Sequence, residues 1–307
     1  MYNYGGSAMA KRKFDCVVMN PPYQSATKGG NGARDLWPFF VEKAISLVKE
    51  NGYIISVNPS RWRKPEHNLY PIFQSNNLIY LEIHDNNDGR KTFGAITRYD
   101  WYILQKSKYN GNTIIKDENG DDSKVNIEKL PFIPNYLIDK VMALVAKDNQ
   151  KKCEVIYSSS IYDARKEYMS KEKCEVIYSR TIYGCDKKWM SKEKDETHTF
   201  PCVYGMYKDK TCSYLYSNKN NGHFGTSKVI LGIGQYLYPL IDMDGKYGMS
   251  NNAFAIKVDS IEEAEGIKKA IESESFREIV KATKWGNFQT DYKMFQSFRK
   301  DFWKEFI

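Results

Sequence analysis

Histidine, paired cysteine and long apolar runs are what this 307-residue sequence has little of, and each shortage narrows what the protein can be. Its six cysteines (Cys16, Cys153, Cys174, Cys185, Cys202, Cys212) form no Cys-x-x-Cys pair, and its four histidines give neither HxxxH nor HExxH spacing. A zinc site is therefore not expected, nor any other metal centre. No run nears the roughly 18 apolar residues needed to cross a bilayer, and no secretory leader is recognisable. The expectation is a soluble cytoplasmic protein with free thiols and no membrane contact. A basic tail is missing too: the net charge of +8 divides evenly, with 20 Lys/Arg against 16 Asp/Glu in residues 1–150 and 26 against 22 in residues 151–307. So mild a surplus is compatible with a polyanionic partner but does not require one.

What the chain has in quantity is aromatic side chains, at 14%, with 23 tyrosines supplying most of them. Such a surface suits stacking on bases, although a coding bias toward Tyr, Asn and Lys explains the composition equally well. An apolar content of 41% is that of a globular protein, and the length accommodates one large core or two modest ones.

The run FDCVVM (14–19) is short, apolar and β-branched, and it stops at Asn20-Pro21-Pro22, where neither proline can donate to a ladder. This predicts a buried strand ending in a rigid turn. Residues 35–50 predict a helix with Phe39, Phe40, Ala44, Leu47 and Val48 on its buried face, stopped by Asn51-Gly52. YIISV (53–57) predicts a second buried strand ending at Pro59, and a helix is expected from Ser60 to about Gln74. Strand signals return at 79–83 and 99–104 around a loop, HDNNDGRKTFGAITR, and if these two strands pair with no helix between them, that edge of an otherwise parallel sheet is antiparallel. Alternating strands and helices argue for an α/β layer. The polar stretch 107–126 reads as a linker, which divides the chain into domains of residues 1–126 and 127–307. Beyond it lie short strand signals at 228–233 and 253–258, and two helices near 260–272 and 274–283, the first with Ala264, Ile267 and Ile271 spaced for burial. Residues 152–172 recur as 173–193 with 14 of 21 positions identical, a tandem duplication rather than a repeat architecture.

Asn20-Pro21-Pro22-Tyr23 carries the most chemistry. An exocyclic amine on a base is a poor nucleophile because its lone pair is delocalised into the ring. Two acceptors that hold its hydrogens favour a more tetrahedral nitrogen, and the Asn20 side-chain oxygen and Pro21 carbonyl can be those two. The fixed φ of Pro21 and Pro22 aims that carbonyl, and Tyr23 offers a stacking face. The bland alternative is a rigid turn followed by a surface tyrosine.

FDCVVMNPPY resembles motif IV of the amino-group DNA methyltransferases. GYIISVNPSRW (52–62) is similar to a strand-and-turn stretch of restriction–modification adenine methylases, and KTFGAITRYDWYILQK (91–106) to their motif VIII. The resemblance covers about residues 14–106. It implies an α/β fold, namely the second half of a Rossmann-like methyltransferase sheet, followed by an α+β target-recognition domain. It implies methyl transfer from S-adenosylmethionine to N6 of adenine in duplex DNA, with Asn20 and Pro21 holding the amine, Tyr23 stacking on the base and Phe93 contacting its other face. Arg61 and Arg63 are candidates for phosphate, against ordinary helix-start charge. The trailing half is similar in style to target-recognition domains, with Lys228 and Tyr236 as candidate DNA contacts, against a solvated lysine and a core tyrosine.

The sequence departs from the family at the cofactor. The Gly-rich loop after a first strand and the acidic residue closing a second are not found before motif IV, and LGIGQY (231–236) is a lone Gly-x-Gly. A separate polypeptide supplying that half is one expectation, and a fragment or a decayed gene are others. Two competing functions stay open: a non-catalytic DNA-binding or specificity subunit, and an N-methyltransferase acting on RNA or protein.

Overall fold

Residues 13–25, 35–157, 190–207, 209–218, 220, 223–234, 237–250, 252–286 and 289–307 are described by the computed structural model. They divide into two compact units: residues 1–138 with 285–287, and residues 139–284 with 288–307.

In the first unit the chain runs β1 (Phe14–Met19), α1 (Trp37–Leu47), β2 (Val48–Pro59), α2 (Tyr70–Ser75), β3 (Asn76–His84), α3 (Asn86–Phe93), β4 (Tyr99–Lys108), β5 (Thr113–Lys116) and β6 (Asp122–Val125). Six strands form one mixed sheet in the order β1-β2-β4-β3-β5-β6. β1 pairs with β2 in parallel, β2 with β4 and β4 with β3 antiparallel. β3 and β4 do pair antiparallel, but not as a direct hairpin at the sheet edge: α3 intervenes between them and β4 lies inside the sheet, between β2 and β3. Aromatic packing stiffens the middle of this unit. Trp62 stacks on Phe73 with centroids 3.9 Å apart, and Tyr102 meets Phe73 edge-on at 4.9 Å. The Tyr102 hydroxyl is buried, and the Asn58 amide donates to it at 2.7 Å, so the polar group enters the core paired.

The sequence reading is corrected at four places in this unit. The supposed linker at 107–126 contains the hairpin of β5 and β6, which extends the sheet. Its Asn, Asp and Gly residues serve tight turns: the Asp117 carboxylate accepts from the backbone of Asn119 and Asp121, and Gly120 has φ +91°. The buried stripe of α1 is Trp37, Val41 and Ala44, while Phe39 and Phe40 are 51% and 42% exposed. Pro38 sets the helix start, and burying the larger Trp37 rotates the two phenylalanines off the core. Ser60–Arg63 forms only a single 3-10 turn before α2. Finally, 86–93 is helical: Asp85 caps the Asp88 amide, and Gly94 ends the helix at φ +69°.

One strand breaks the usual rule of burial. β1 is apolar in sequence and parallel to its neighbour, yet among the described residues it forms the edge of the sheet, with Phe14 50% and Val18 73% exposed. Parallel strands are normally covered on both faces, and edge strands are normally short or charged.

The second unit is built from β7 (Val155–Tyr157), β8 (Met190–Ser191), β9 (Phe200–Met206), β10 (Cys212–Ser217), β11 (Lys228–Gly232), β12 (Leu240–Asp242), β13 (Gly248–Met249) and β14 (Ala253–Lys257). These form two four-stranded sheets, β13-β9-β10-β8 and β12-β11-β14-β7. Helices α4 (Ile138–Ala143), α5 (Ile261–Glu272), α6 (Glu274–Ala282) and α7 (Lys293–Ser297) accompany them. Val203, Ile230, Met249, Ala253 and Ala255 pack as one cluster. Ser260 and Ser273 cap α5 and α6, and Ala264, Ile267 and Ile271 are buried as their spacing predicts. Most of the tandem duplication, 158–189, lies outside the described residues.

Candidate active site at the end of the first strand

Pairing of β1 with β2 stops at Met19, and the chain leaves the sheet through Asn20-Pro21-Pro22-Tyr23 because the prolines have no N–H to continue the ladder. Asn20 and Pro22 are exposed, Pro21 is buried and Tyr23 is half-buried. The segment is tied at its far end. The Leu36 amide donates to the Tyr23 carbonyl at 3.0 Å, Gln24 bridges to Asp35, and Nη2 of Arg61 lies 2.8 Å from both carboxylate oxygens of Asp35. Arg61, a candidate for phosphate, thus braces the turn after the motif, with its side chain still 44% exposed.

Phe93, some 70 residues later in the chain, comes to Tyr23. Their ring centroids are 6.2 Å apart at an interplanar angle of 65°. Because the rings meet edge to face, a base can lie flat on one of them, and lies between both only once a ring turns. Behind Phe93 stands Tyr99, edge-on at 4.9 Å, and behind Tyr99 the His84 ring is stacked at 4.4 Å and 1°. The Asp88 carboxylate accepts the Tyr99 hydroxyl and lies 2.9 Å from His84 Nδ1. Gly89 is buried against Thr97, where an added Cβ would sit 2.0 Å from the Thr97 carbonyl oxygen. These contacts fix α3, and with it Phe93.

The electrostatics keep the site's hydroxyls neutral. Burial, then the nearby Asp100 carboxylate, pushes the Tyr23 phenol up to about 12. Tyr99 is likewise raised to about 12, first by burial and next by its hydrogen bond to Asp88. The same hydrogen bond holds Asp88 below the usual carboxylate range. At neutral pH Tyr23 is therefore an apolar face with a proton on its oxygen, suited to stacking rather than to proton abstraction.

Other candidates fare differently. Arg63 is fully buried in a pair with Asp100 at 2.7 Å, and its remaining donors go to the Ile133 and Pro134 carbonyls and to Asn135. It is structural, not a phosphate ligand. Lys228 is also fully buried: Nζ donates to Asp242 at 2.7 Å and to the His223 and Thr226 carbonyls at 3.1 Å. Three acceptors use all three ammonium protons, so the expected DNA contact gives way to a role in holding the turn before β11. Tyr236 lies outside the described residues. The Gly-x-Gly at 232–234 follows a strand antiparallel to both its neighbours, not a parallel strand entering a helix, and so lacks the geometry of a nucleotide loop. Sequence reasoning missed His84, Asp88, Gly89 and Tyr99. The available signal was the pair of helix ends, Asp85 with Asp88 and Gly94, inside what reads as a loop.

A strand that ends in Asn-Pro-Pro-Tyr with a second aromatic ring beside the tyrosine is the arrangement the motif resemblance implies for amino-group methyltransferases. That resemblance is borne out by comparison with known proteins: residues 3–93 match the family described as Eco57I restriction-modification methylase. An uncharacterized adenine-specific methylase of Mycoplasma pneumoniae is 26% identical over 142 residues, covering 41% of this chain and 32% of the relative. The chain thus spans about a third of the length of that relative. Among solved structures, the Type ISP restriction-modification enzyme LlaGI in complex with a DNA substrate mimic has a TM-score of 0.46 at 9% identity, covering 94% of this chain and 34% of that one. The Type IIL enzyme MmeI in complex with DNA has a TM-score of 0.43 at 11% identity, covering 83% and 42%.

Proposed function

We propose that this chain carries the base-holding and DNA-reading portion of a restriction–modification methyltransferase that transfers a methyl group from S-adenosylmethionine to N6 of adenine in duplex DNA. The observation that carries this reading is Asn20-Pro21-Pro22-Tyr23 at the open end of β1 with Phe93 converging on Tyr23 at 6.2 Å. Asn20 and the Pro21 carbonyl accept the two hydrogens of the adenine amine, which turns its lone pair out of the ring, and Tyr23 and Phe93 hold the extruded base by its faces. Both amine acceptors are uncharged, which suits a neutral donor group. Pro21, buried and fixed in φ, keeps its carbonyl aimed without an entropic cost at each turnover.

S-adenosylmethionine supplies the methyl group in this chemistry, and the described residues do not form its pocket: among them no Gly-rich turn joins a parallel strand to a helix. The open edge of β1 supports a reading in which further strands, from a cofactor-binding segment of the same or another polypeptide, pair there beside Asn20. Ligands of parallel α/β sheets bind at the carboxyl ends of the strands, and β2 already occupies the other flank of β1. In this reading the first unit is the second half of a Rossmann-like sheet, and the second unit is the target-recognition domain.

The test is binding of the full chain to a randomised duplex library, with S-adenosylmethionine titrated separately by calorimetry. Enrichment of a short adenine-containing site and weak cofactor binding are expected. A chain that enriches no sequence, or that prefers RNA, overturns the assignment of duplex DNA as substrate.

A further inference from the structure

We propose that Arg90 and Lys91, on the last turn of α3, grip the DNA phosphates that flank the extruded adenine. This rests on the reading of Tyr23 and Phe93 as the base-holding pair. The inner side of α3 is committed to the protein: Asp88 engages His84 and Tyr99, buried Gly89 packs on the Thr97 carbonyl, and Thr92 Oγ1 lies 3.4 Å from the Tyr99 hydroxyl. Arg90, on the outer side, meets no carboxylate among the described residues, whereas Lys91 stands one turn from Asp88 and, behind the Tyr99 hydrogen bond, helps to hold that carboxyl low. Residues 90–96, Arg-Lys-Thr-Phe-Gly-Ala-Ile, are exposed without interruption, and among the described residues neither Arg90 nor Lys91 belongs to an ion pair.

Placement turns that charge into a site. Residues three apart on a helix are surface neighbours, about 5–6 Å between Cβ atoms, so Arg90 stands one turn behind Phe93 on the same face. A base lying on Phe93 or Tyr23 remains joined through its sugar to the phosphates on either side. Those phosphates must pass the rim of the site, and among the described residues α3 presents there Arg90, which no carboxylate pairs, with Lys91 beside it. The favourable placement of cations at a helix C-terminus explains why the residues are tolerated there, but not why they sit beside exposed Phe93 and Ile96, at 37% and 51%. The bracing of α3 from beneath also matters, because a cation on a fixed helix meets a phosphate with less ordering cost than one on a free loop.

The experiment is salt-dependent binding of the full chain to a mixed-sequence DNA duplex. Each phosphate contact contributes about 0.9 to the slope of log K against log salt. Arg90→Gln and Lys91→Gln, both helix-compatible surface changes, should each lower the slope by about 0.9, and the double variant by about twice that. Lys124→Gln, exposed on β6 at the sheet edge opposite β1, should leave the slope unchanged. A double variant that binds with the full wild-type slope overturns this proposal and leaves the base-holding reading standing. A wild-type chain that does not bind duplex at all overturns both.

Discussion

Replacing Arg63 with Met should cost the first unit about 3–5 kcal/mol, because it strands a buried charge rather than removing a surface one. The side chain is fully buried, as is Asp100, and the guanidinium reaches four acceptors: Asp100 Oδ2 at 2.7 Å, the Ile133 and Pro134 carbonyls at 3.0 and 3.1 Å, and Asn135 Oδ1 at 2.8 Å. Ile133 keeps a donor in the Trp285 indole at 2.7 Å, so the loss concentrates on Asp100 and Pro134. Burial already pushes the Asp100 carboxyl above its ordinary range against the opposing pull of Arg63. Without the guanidinium that carboxyl must take up a proton or open the core to water. The double variant Arg63→Met/Asp100→Leu removes both charges and should recover most of the loss, since a buried pair exchanged for apolar residues of similar volume is often neutral. Hydrogen exchange of the β2 and β4 amides reads the stability of this unit separately from the other. A loss below about 1 kcal/mol for Arg63→Met, or a double variant no better than the single, would refute the reasoning.

Three further outcomes follow from the same structure. His67, stacked on Trp37 at 5.5 Å, is lowered from 6.5 to about 4, first by burial and next by Lys64 and Arg61. A depressed histidine stabilises the fold fully above pH 6.5 and loses that contribution as the pH falls toward 4, so unfolding at pH 7 and 4.5 should differ by about 1–2 kcal/mol more than in His67→Phe. Gly89→Ala puts a methyl 2.0 Å from the Thr97 carbonyl oxygen, and the shift of α3 should cost about 1–3 kcal/mol, seen as faster exchange at 86–93, despite better helix propensity. Lys228→Met leaves Asp242 buried with only backbone donors, so melting of the second unit should drop by about 3–5 kcal/mol; unchanged stability would return Lys228 to the candidate DNA contacts.

The strand ending at Asn20 was legible because composition and the two prolines both mark it, and the helices at 261–272 and 274–282 because serine caps precede a 3.6-residue apolar period. Polar turns misled the reading at 107–126, where Asn, Asp and Gly serve a hairpin as readily as a linker. Charge misled it more. Sequence assigns Arg63 and Lys228 the same formal +1 as Arg90 and Lys91, and only the structure shows that the first pair is spent on buried carboxylates and the second is not. The exposure of β1 could not be read at all: FDCVVM has the composition of an interior strand, and what lies beyond its edge is a property of the assembled sheet.

Under the proposed function Asn20 holds an adenine amine. This is tested most directly by co-expressing the chain with a cofactor-binding half in a host that lacks its own adenine methylation, and counting N6-methyladenine in the host DNA by long-read sequencing. Asn20→Ala should abolish methylation while duplex binding in vitro stays near wild type, because it removes an acceptor used as the amine is activated and no phosphate contact. Normal N6-methyladenine in the Asn20→Ala strain, at a site the wild-type chain also methylates, would contradict the account.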